Sequence, residues 1–452
     1  MPAWETAPNE PGAGMNKALT FFLVFSFLLA SCAPGTAELP VSPTLPSPTA
    51  SPVPPQSATT TPAATTMPET TPSVVPTIAF TASPPAVCQA VPVIPQVDTL
   101  AHYDIPAARE EDHAYGTTTP KVTVLSYCSY QKPACKTLIQ NLAELQQLYK
   151  DELRVVLRQY PQPELDDKSL LAAYAAESAA LENRFWEMNN LLYTRQSDWL
   201  NLSPEEFTSW LTTQANTLNI TPAQWESNMT SETVIARVEQ TITDATTLQL
   251  SSSPALFYNN ILVKTSLDID SLSVLTDYFL LPEKAYTECP ALLIDTSRAY
   301  TATFTTEKGA IKFELFDDLA PVSVNSFVTL ARAGWYDGSA FFRVIPGFVA
   351  QGGDPSNSGL GTPGYGISTE VDPSLRFATP GLLALNHDSA GLSGSQFFIT
   401  YAPLPEMDGQ FTIIGRVIEG MSVVNSLRPR NPEADEILLP ADTLISVTIE
   451  EN

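Results

Sequence analysis

The feature that most constrains this chain is a low-complexity stretch, residues 33–86, made almost entirely of Pro, Ser, Thr, Ala and Val. The stretch has hardly any charge and no hydrophobic period, so it lacks the apolar surface that a folded core requires. We therefore expect a disordered stalk, which its prolines make stiffer than a Gly/Ser linker. Folded domains are expected in the residues that follow it.

A short apolar segment precedes the stalk and is typical of a signal peptide. Lys17 is followed by the apolar residues 18–30, a run too short to span a bilayer comfortably but suitable for a signal-peptide core. The run ends in Leu29-Ala30-Ser31-Cys32, which resembles the bacterial lipobox, in which the cysteine becomes the lipidated first residue of the mature protein. Glutamates occur before Met15, where a signal needs positive charge, so we expect translation to begin at Met15.

This resemblance implies an exported protein with a lipid anchor. Residues 1–32 are predicted to be the signal peptide with its lipobox, and Cys32 is predicted to be the lipidation site. The expected location is extracytoplasmic, on a membrane at the cell surface or in the periplasm. The alternative is a short internal hydrophobic helix that ends at a chance cysteine.

Charge and histidine content exclude two classes of function. The net charge is −26, from 23 basic and 49 acidic residues, so no basic face is available to displace counterions from nucleic acid. The histidines are His102, His113 and His387, and no two are spaced as a metal-binding pair. We therefore expect no nucleic-acid partner and no metal site.

Residues from about 120 to 283 show a mixed α/β pattern. Residues 122–127 are predicted to be a buried strand, and residues 153–160 a second strand, with helically spaced apolar residues between them. A strand, helix and strand with short connections gives parallel neighbours. A helical stretch is predicted for residues 169–194.

Strong local signals follow in the same region. Ser203-Pro204-Glu205-Glu206 and Thr221-Pro222-Ala223-Gln224 each place a capping hydroxyl first, a proline next and Glu or Gln at the third helical position. Both predict helix starts. Pro254 leads into a predicted strand that ends at an Asn259-Asn260 turn.

These features resemble DsbA-like proteins of the thioredoxin fold, which carry an inserted helical domain. The pair Phe185-Trp186 and the expected cis-proline, Pro254, match features of that family. The active-site stretch Tyr130-Gln131-Lys132-Pro133-Ala134-Cys135 also matches, except that Lys132 occupies the position of the attacking cysteine. An amine cannot replace the thiolate that opens a disulfide, so the resemblance implies client binding without redox turnover.

The cysteines leave several possibilities open. Cys128 lies at the end of the predicted strand and can pair with Cys135, as a relocated redox pair or as a structural bridge, or both can be free thiols. Cys88 and Cys289 flank the α/β region and can join its ends in an oxidising compartment. The sequence does not choose among the three connectivities of these four residues.

The pattern changes to alternating strands from Tyr300 onward. Ile311, Phe313 and Leu315 are predicted to face inward, and a helix is predicted to begin at Pro321. Short strands separated by Gly, Pro and Asp turns then continue to Val447. This pattern predicts a closed, mostly antiparallel barrel with flanking helices.

Two motifs in this region resemble the signatures of the cyclophilin-type peptidyl-prolyl cis/trans isomerases. The first is Phe341-Phe342-Arg343-Val344-Ile345-Pro346-Gly347-Phe348-Val349-Ala350-Gln351-Gly352-Gly353-Asp354-Pro355. The second is Gly394-Ser395-Gln396-Phe397-Phe398-Ile399-Thr400, followed by Met407-Asp408-Gly409-Gln410. The expected fold is therefore multidomain: a thioredoxin-like α/β domain with an inserted helical subdomain, residues 87–290, and a cyclophilin-like barrel, residues 297–452.

The resemblance implies the catalytic residues. Resonance keeps an X–Pro bond planar and sets a barrier of about 20 kcal/mol. Carried over from the family, Arg343 donates a hydrogen bond to the prolyl nitrogen of the twisted state, and Gln351 orients the arginine and contacts the substrate backbone. No cofactor is implied, because isomerisation needs neither a metal nor a nucleotide.

The resemblance also implies the substrate-binding residues. The apolar pocket for the proline ring corresponds to Phe348, Val349, Phe398 and Met407, with Gln396 on the strand of Phe398. Asn386 and His387 occupy the segment whose backbone grips the residue before the proline. Phe411 replaces a histidine or tyrosine that is usual near the pocket.

The function expected from the sequence is isomerisation of X–Pro bonds during the folding of extracytoplasmic proteins. The expected partners are unfolded, proline-containing clients, together with a membrane through the lipid anchor. Two alternatives remain. One is a thiol-disulfide oxidoreductase that uses Cys128 and Cys135, and the other is a non-catalytic client-binding lipoprotein at the cell surface.

Overall fold

The computed structural model describes residues 83, 85–93, 109, 111–435 and 438–452. The predicted signal peptide, with Met15 and Cys32, and nearly all of the predicted stalk lie outside the described residues. All of the described residues belong to one compact unit. In the described part of the chain, no helix combines the length and the apolar character needed to cross a membrane.

A five-stranded sheet forms the centre of the first folded part, which we call the α/β domain. Its strands are β2 (His113–Gly116), β3 (Val122–Cys128), β4 (Leu153–Gln159), β5 (Ala255–Tyr258) and β6 (Ile261–Val263), in the order β2-β4-β3-β5-β6. Strands β3 and β4 are parallel, as the strand-helix-strand pattern predicts, and the other pairs are antiparallel. Asn259 and Asn260, both with positive φ, form the predicted two-residue turn between β5 and β6.

Eight helices, counted over the described residues, complete the α/β domain. They are α1 (Pro133–Leu148), α2 (Ser169–Ala180), α3 (Phe185–Thr194), α4 (Gln196–Trp199), α5 (Pro204–Thr217), α6 (Pro222–Met229), α7 (Glu232–Thr247) and α8 (Ile269–Leu280). Alternate residues of β3 point to opposite faces of the sheet, and both faces are covered. Val124 packs in the core with α1 and α8, whereas Leu125 packs with the end of α7.

The helix boundaries follow local sequence signals. Ser203 and Thr221 form complete capping boxes with Glu206 and Gln224, as predicted. The helical stretch predicted for residues 169–194 is confirmed at both of its limits, but it is divided into two helices, α2 and α3. Asn183 adopts a left-handed conformation between the two helices, and the Arg184 N–H bonds back to the Ala179 carbonyl, which ends α2.

An antiparallel sheet forms the second folded part, the barrel domain. Its strands are β1 (Cys88–Ala90), β7 (Tyr300–Thr306), β8 (Gly309–Leu315), β9 (Ser339–Ala340), β10 (Arg343–Val344), β11 (Val349–Gly352), β12 (Tyr365–Ser368), β13 (Leu382–His387), β14 (Leu392–Thr400), β15 (Ile413–Glu419) and β16 (Thr443–Glu451). Its helices are α9 (Pro321–Arg332) and α10 (Met421–Val424).

The strand pairings run around the barrel. The order is β1-β12-β14-β13-β15-β8-β7-β16-β9, and β11 joins β14 to β10. Only two residues of chain separate β9 from β10. The succession of strands that starts at β14 and runs through β16 to β9 therefore continues through β10 and β11 back to β14. Ile311, Phe313 and Leu315 face the interior, as the alternation predicts, and Phe327 of α9 packs against Phe304.

The first strand differs from the predicted domain limits. The boundary at residue 87 placed Cys88 in the α/β domain, but β1 pairs with β12 of the barrel domain. Backbone hydrogen bonds extend this pairing on both sides: Ser368 N–H donates to the Val87 carbonyl, and Val91 N–H donates to the Gly364 carbonyl. The chain therefore contributes one strand to the barrel domain before it enters the α/β domain.

Candidate active site

Strand register brings the predicted catalytic residues together. Arg343 on β10 is directly opposite Gln351 on β11, and Gln351 is directly opposite Phe398 on β14. The first motif thus folds into a tight hairpin, and the second motif provides the strand beside it. Directly opposed residues on adjacent strands have neighbouring side chains, so the three residues form one row across the sheet.

The Arg343 side chain is partly exposed, and one of its N–H donors makes no hydrogen bond to another described residue. It is 22% exposed, and the nearest carboxylate oxygen, of the largely exposed Glu433, is 3.9 Å from its Nη2. Its Nε is buried and has no hydrogen-bond partner among the described residues. A buried donor without an acceptor costs free energy, which an acceptor on a bound substrate recovers.

Three side-chain amides form a connected chain beside the arginine. Gln351 Nε2 donates to Gln396 Oε1 at 3.1 Å, and Asn386 Nδ2 approaches the same oxygen at 3.5 Å. Gln396 Nε2 in turn donates to the carbonyls of Gly359 and Gly361, at 2.9 and 3.1 Å. Gln396 therefore fixes Gln351 and ties β14 to the 359–361 loop. The role predicted for Gln351, to orient Arg343 and contact the substrate backbone, stays a prediction, and Gln351 lies directly opposite Arg343 in the strand register.

An apolar cluster lies next to this row. Val349, Phe398 and Met407 are buried in it, and Phe348 packs at its edge, half-buried. All four were predicted as pocket residues and are brought together. The cluster contains further residues that the sequence analysis did not single out: Phe377, Leu382, Leu404 and Ile413, with Leu375 at the edge.

Phe377 is the most informative of the residues that were missed. Its ring stacks on Phe398 with centroids 6.0 Å apart, and its backbone N–H donates to Asp408 Oδ1 at 2.7 Å. Its carbonyl accepts from the Leu404 N–H. Phe377 lies in a loop without a period or motif, so its position depends on long-range contacts. The one available signal was Asp408, a motif residue whose carboxylate holds this loop.

His387 and Asn386 stand at the rim of the cluster. The His387 ring stacks on Phe411 with centroids 4.5 Å apart, and Phe411 meets Phe398 edge to face at 5.4 Å. Phe411, which replaces the histidine or tyrosine usual in the family, thus links His387 to the apolar pocket. Asn386 joins the amide chain, so the two neighbouring residues connect the amide chain with the apolar cluster.

The second candidate site is a pair of buried thiols in the α/β domain. Cys128 at the end of β3 and Cys135 in the first turn of α1 are free thiols, 4% and 0% exposed. Cys135 Sγ lies 3.2 Å from Ser253 Oγ, and the peptide bond between Ser253 and Pro254 is cis. Lys132 is at the N-cap of α1, where its Nζ pairs with Asp166 at 2.9 Å.

The two thiols differ in acidity. Burial raises the pKa of Cys128 well above its usual value, and the adjacent Cys135 adds to this rise. Burial also acts to raise the pKa of Cys135, but hydrogen bonds from Cys128, Ser253 and the backbone of Ser129 outweigh it, so the pKa of Cys135 is lowered. Cys135 is therefore the more acidic of the two thiols, and both are buried.

The other cysteines form a disulfide bond. Cys88 of β1 is bonded to Cys289, which follows the α/β domain. Of the connectivities that the sequence left open, this is the one present, with Cys128 and Cys135 reduced. Within the described residues, no group of three or more His, Cys, Asp or Glu side chains is arranged to hold a metal ion.

Comparisons with known proteins agree with both predicted domains. The family model "Cyclophilin type peptidyl-prolyl cis-trans isomerase/CLD" matches residues 301–449, and the model "Thioredoxin" matches residues 108–277. A peptidyl-prolyl cis-trans isomerase of Synechococcus elongatus is 45% identical over 129 residues, which cover 28% of this chain and 88% of the relative. Peptidyl-prolyl cis-trans isomerase B of Bacillus subtilis is 41% identical over 128 residues, 28% of this chain and 90% of the relative.

Solved structures include a similar protein as well. The crystal structure of a cyclophilin-type isomerase from Cryptosporidium parvum is 31% identical, with a TM-score of 0.32, and the match covers 34% of this chain and 99% of that one. The predicted combination of a thioredoxin-like domain with a cyclophilin domain is confirmed by the matches to the two family models.

Proposed function

The chain belongs to the cyclophilin-type peptidyl-prolyl cis-trans isomerase family through its barrel domain, and from this premise we propose that it assists the folding of proline-containing clients outside the cytoplasm. Two observations support the location. The Cys88–Cys289 disulfide requires an oxidising compartment, and residues 29–32 resemble a lipobox. A lipid on Cys32 anchors the protein to a membrane in this proposal.

The catalytic step rests on Arg343, and the observation that carries it is the unpartnered Arg343 Nε beside the apolar cluster. In the planar ground state the prolyl nitrogen shares its lone pair with the carbonyl and is a poor acceptor. As the bond twists, that lone pair returns to nitrogen, and the guanidinium donates to it. The contact is therefore stronger in the twisted state than in the ground state, which is the requirement for catalysis.

The apolar cluster holds the substrate in place for this step. The proline ring is bound against Phe348, Phe398 and Met407, and the amide of Gln351 holds the substrate backbone. Asn386 and His387 contact the residue before the proline. A hydrogen bond to a charged donor contributes about 1.5 to 3 kcal/mol, or roughly ten- to hundredfold in rate, and positioning provides the rest.

The α/β domain binds clients without redox turnover in this proposal. The position of an attacking cysteine is occupied by Lys132, whose amine is paired with Asp166. Disulfide exchange requires in-line approach of a partner sulfur, and Cys128 and Cys135 are both buried.

The lowered pKa of Cys135 beside Cys128 favours one further candidate, a thiol-disulfide oxidoreductase. A protein of this kind reduces insulin disulfides through a thiolate that reaches solvent, and loses that activity when Cys135 is replaced by alanine. The third candidate, a non-catalytic surface lipoprotein, predicts no acceleration of isomerisation at all.

The test is a protease-coupled isomerisation assay on several X–Pro peptides with wild type, Arg343→Ala and Arg416→Ala. Arg416 is a matched control, because it is an exposed arginine of the same barrel that pairs with Glu314 on the outer face. We expect Arg343→Ala to lower kcat/KM about ten- to hundredfold and Arg416→Ala to leave it unchanged. Absence of acceleration by wild type on every peptide would rule out the isomerase function.

A further inference from the structure

A turn formed by residues 431–435, which we call the acidic turn, lies beside Arg343 and is fastened to β10. Arg430, the residue before the turn, exchanges two backbone hydrogen bonds with Val344 of β10, at 2.9 and 2.7 Å. The Arg430 Nε also donates to the Phe342 carbonyl at 3.2 Å. The residues on both sides of Arg343 therefore hold the start of the turn in place.

Hydrogen bonds within the acidic turn fix its shape. Asn431 Oδ1 accepts from the Glu433 N–H at 3.2 Å, and the Asn431 N–H donates to Asp435 Oδ2 at 2.7 Å. The Asn431 carbonyl accepts from the N–H groups of Ala434 and Asp435. The backbone of Glu433 is thus held before a substrate binds, which reduces the entropy lost on binding.

The Glu433 carboxylate, in contrast, is open to solvent. Its side chain is 76% exposed, and its one ion pair among the described residues is with Arg343, whose Nη2 lies 3.9 Å from Glu433 Oε2. This distance is too long for a hydrogen bond. A negative charge with unused hydrogen-bond acceptors therefore stands next to the residue on which the proposed catalytic step rests.

Strand order places the acidic turn at the end of the groove that follows the proline. The strands lie in the order β13-β14-β11-β10, and Arg430 bridges to Val344 on the other edge of β10. In the proposed function, Asn386 and His387 of β13 contact the residue before the proline, and Arg343 of β10 meets the prolyl nitrogen. A peptide that crosses the strands in this direction brings the residue after the proline to the acidic turn.

We propose that Glu433 is a specificity-determining residue, which selects clients with a basic residue, Lys or Arg, directly after the proline. The inference rests on the proposed function and adds its substrate class. Arg343 alone would repel a basic residue at this end of the groove and attract an acidic one. The exposed carboxylate of Glu433 reverses this preference, because it attracts an ammonium or guanidinium group and repels a second carboxylate.

The test uses peptides of the form Ala-Ala-Pro-Xaa-Ala with blocked termini, in which Xaa is Lys or Glu. Exchange spectroscopy by NMR measures the catalysed isomerisation by the full chain without a protease, so any residue can follow the proline. The quantity compared is the ratio of kcat/KM for the Lys peptide to that for the Glu peptide. Wild type is expected to favour the Lys peptide about fivefold, at the upper end of the effects of exposed charge pairs.

Three variants test the origin of this ratio. Glu433→Gln keeps the shape of the side chain and should bring the ratio close to one, and Glu433→Lys should bring it below one. Glu419→Gln is the matched control and should retain the wild-type ratio. Glu419 is also an exposed glutamate of the barrel domain, 68% exposed and 3.8 Å from the Lys312 Nζ, but it lies on β15. Sodium chloride at about 0.5 M should lower the wild-type ratio, because salt screens exposed charges.

The possible results separate this inference from the proposed function. If Glu433→Gln lowers both rates together and leaves the ratio unchanged, the role of Glu433 is structural and the inference is overturned. The same holds if Glu419→Gln changes the ratio as much as Glu433→Gln, since the net charge of the protein is then the cause. A wild-type ratio near one, with both peptides accelerated, contradicts this inference alone. Acceleration of neither peptide contradicts the proposed function, and this inference with it.

Discussion

Gln351 and Gln396 are joined by a side-chain hydrogen bond of 3.1 Å, which connects the hairpin of the first motif to the strand of the second. The bond leaves the Gln351 amide fixed beside Arg343. Because Gln396 is held by two glycine carbonyls, its orientation does not depend on a substrate. The relationship suggests that Gln396 acts as a positioning residue.

We predict that Gln396→Ala raises KM about five- to tenfold and lowers kcat less, because Gln351 loses its acceptor while Arg343 remains. The measurement is a peptide titration that determines kcat and KM separately. Gln410→Ala is the control: Gln410 is exposed and its amide bonds only to the nearby Glu406 carbonyl in the described hydrogen bonds. An equal loss in kcat, with KM unchanged, would contradict the positioning role.

A buried ion pair is predicted to control the stability of the α/β domain. Arg158 and Asp112 side chains are 1% and 6% exposed, and two hydrogen bonds of 2.9 and 2.7 Å join them. Asp112→Ala leaves the buried guanidinium without this carboxylate, so we expect the free energy of unfolding to fall by about 3 kcal/mol. Urea denaturation of wild type and variant measures this change in the free energy of unfolding. The exposed pair of Asp198 and Arg195 serves as a control, since Asp198→Ala should cost less than about 1 kcal/mol.

The same pair predicts a pH dependence. Burial acts to raise the pKa of Asp112, but hydrogen bonds from Arg158 and the Arg109 backbone outweigh it and hold the pKa below its usual 3.8. As the pH falls below about 4, the unfolded chain takes up a proton at Asp112 before the folded chain does, and stability is lost. Above about pH 4 the ionised Asp112 makes its full contribution to the free energy of unfolding. Urea midpoints recorded from pH 2.5 to 6 should therefore decline at the acid end less steeply in Asp112→Ala than in wild type.

Thiol accessibility distinguishes the two roles of the α/β domain. Because Cys128 and Cys135 are buried, we expect them to react with an aromatic disulfide reagent only after unfolding in denaturant. The measurement is the rate of thiol modification with and without denaturant, and Cys135→Ala identifies the sites. Rapid modification of Cys135 in the native protein would favour the oxidoreductase instead.

The disulfide is predicted to stabilise the protein by closing a long loop. Cys88 and Cys289 are separated by 201 residues, and cross-links of long loops contribute roughly 2 to 5 kcal/mol. We expect the double variant Cys88→Ser, Cys289→Ser to unfold at lower denaturant concentration. Reductant should destabilise wild type and leave this variant unchanged, and equal midpoints for the two proteins would refute the prediction.

The sequence predicted those parts of the site that local sequence signals specify. Arg343, Gln351 and Phe398 were identified from two motifs, and strand register then brought them into one row. Phe377 was missed because its place in the pocket depends on Asp408, far along the chain. The division of α2 from α3 was missed although Asn183 is a common helix-ending residue, because the apolar pattern on either side continues.

The pairing of β1 with the barrel domain was not predicted, for a different reason. A three-residue strand carries no period, and the partner of β1 lies in the barrel domain, beyond the whole α/β domain. The approach of β6 and α8 to the 358–362 loop was likewise not predictable, since these segments lie far apart in the chain.

The position of β1 has a consequence for the order in which the protein assembles. The strand leaves the ribosome before any other strand described here, but its partner β12 is made only after the α/β domain. Contacts between such distant parts of a chain form slowly, because the intervening loop must first be closed. One edge of the barrel-domain sheet is therefore completed late, after the α/β domain has been made, and Cys88 remains an unpaired thiol until Cys289 has also reached the oxidising compartment.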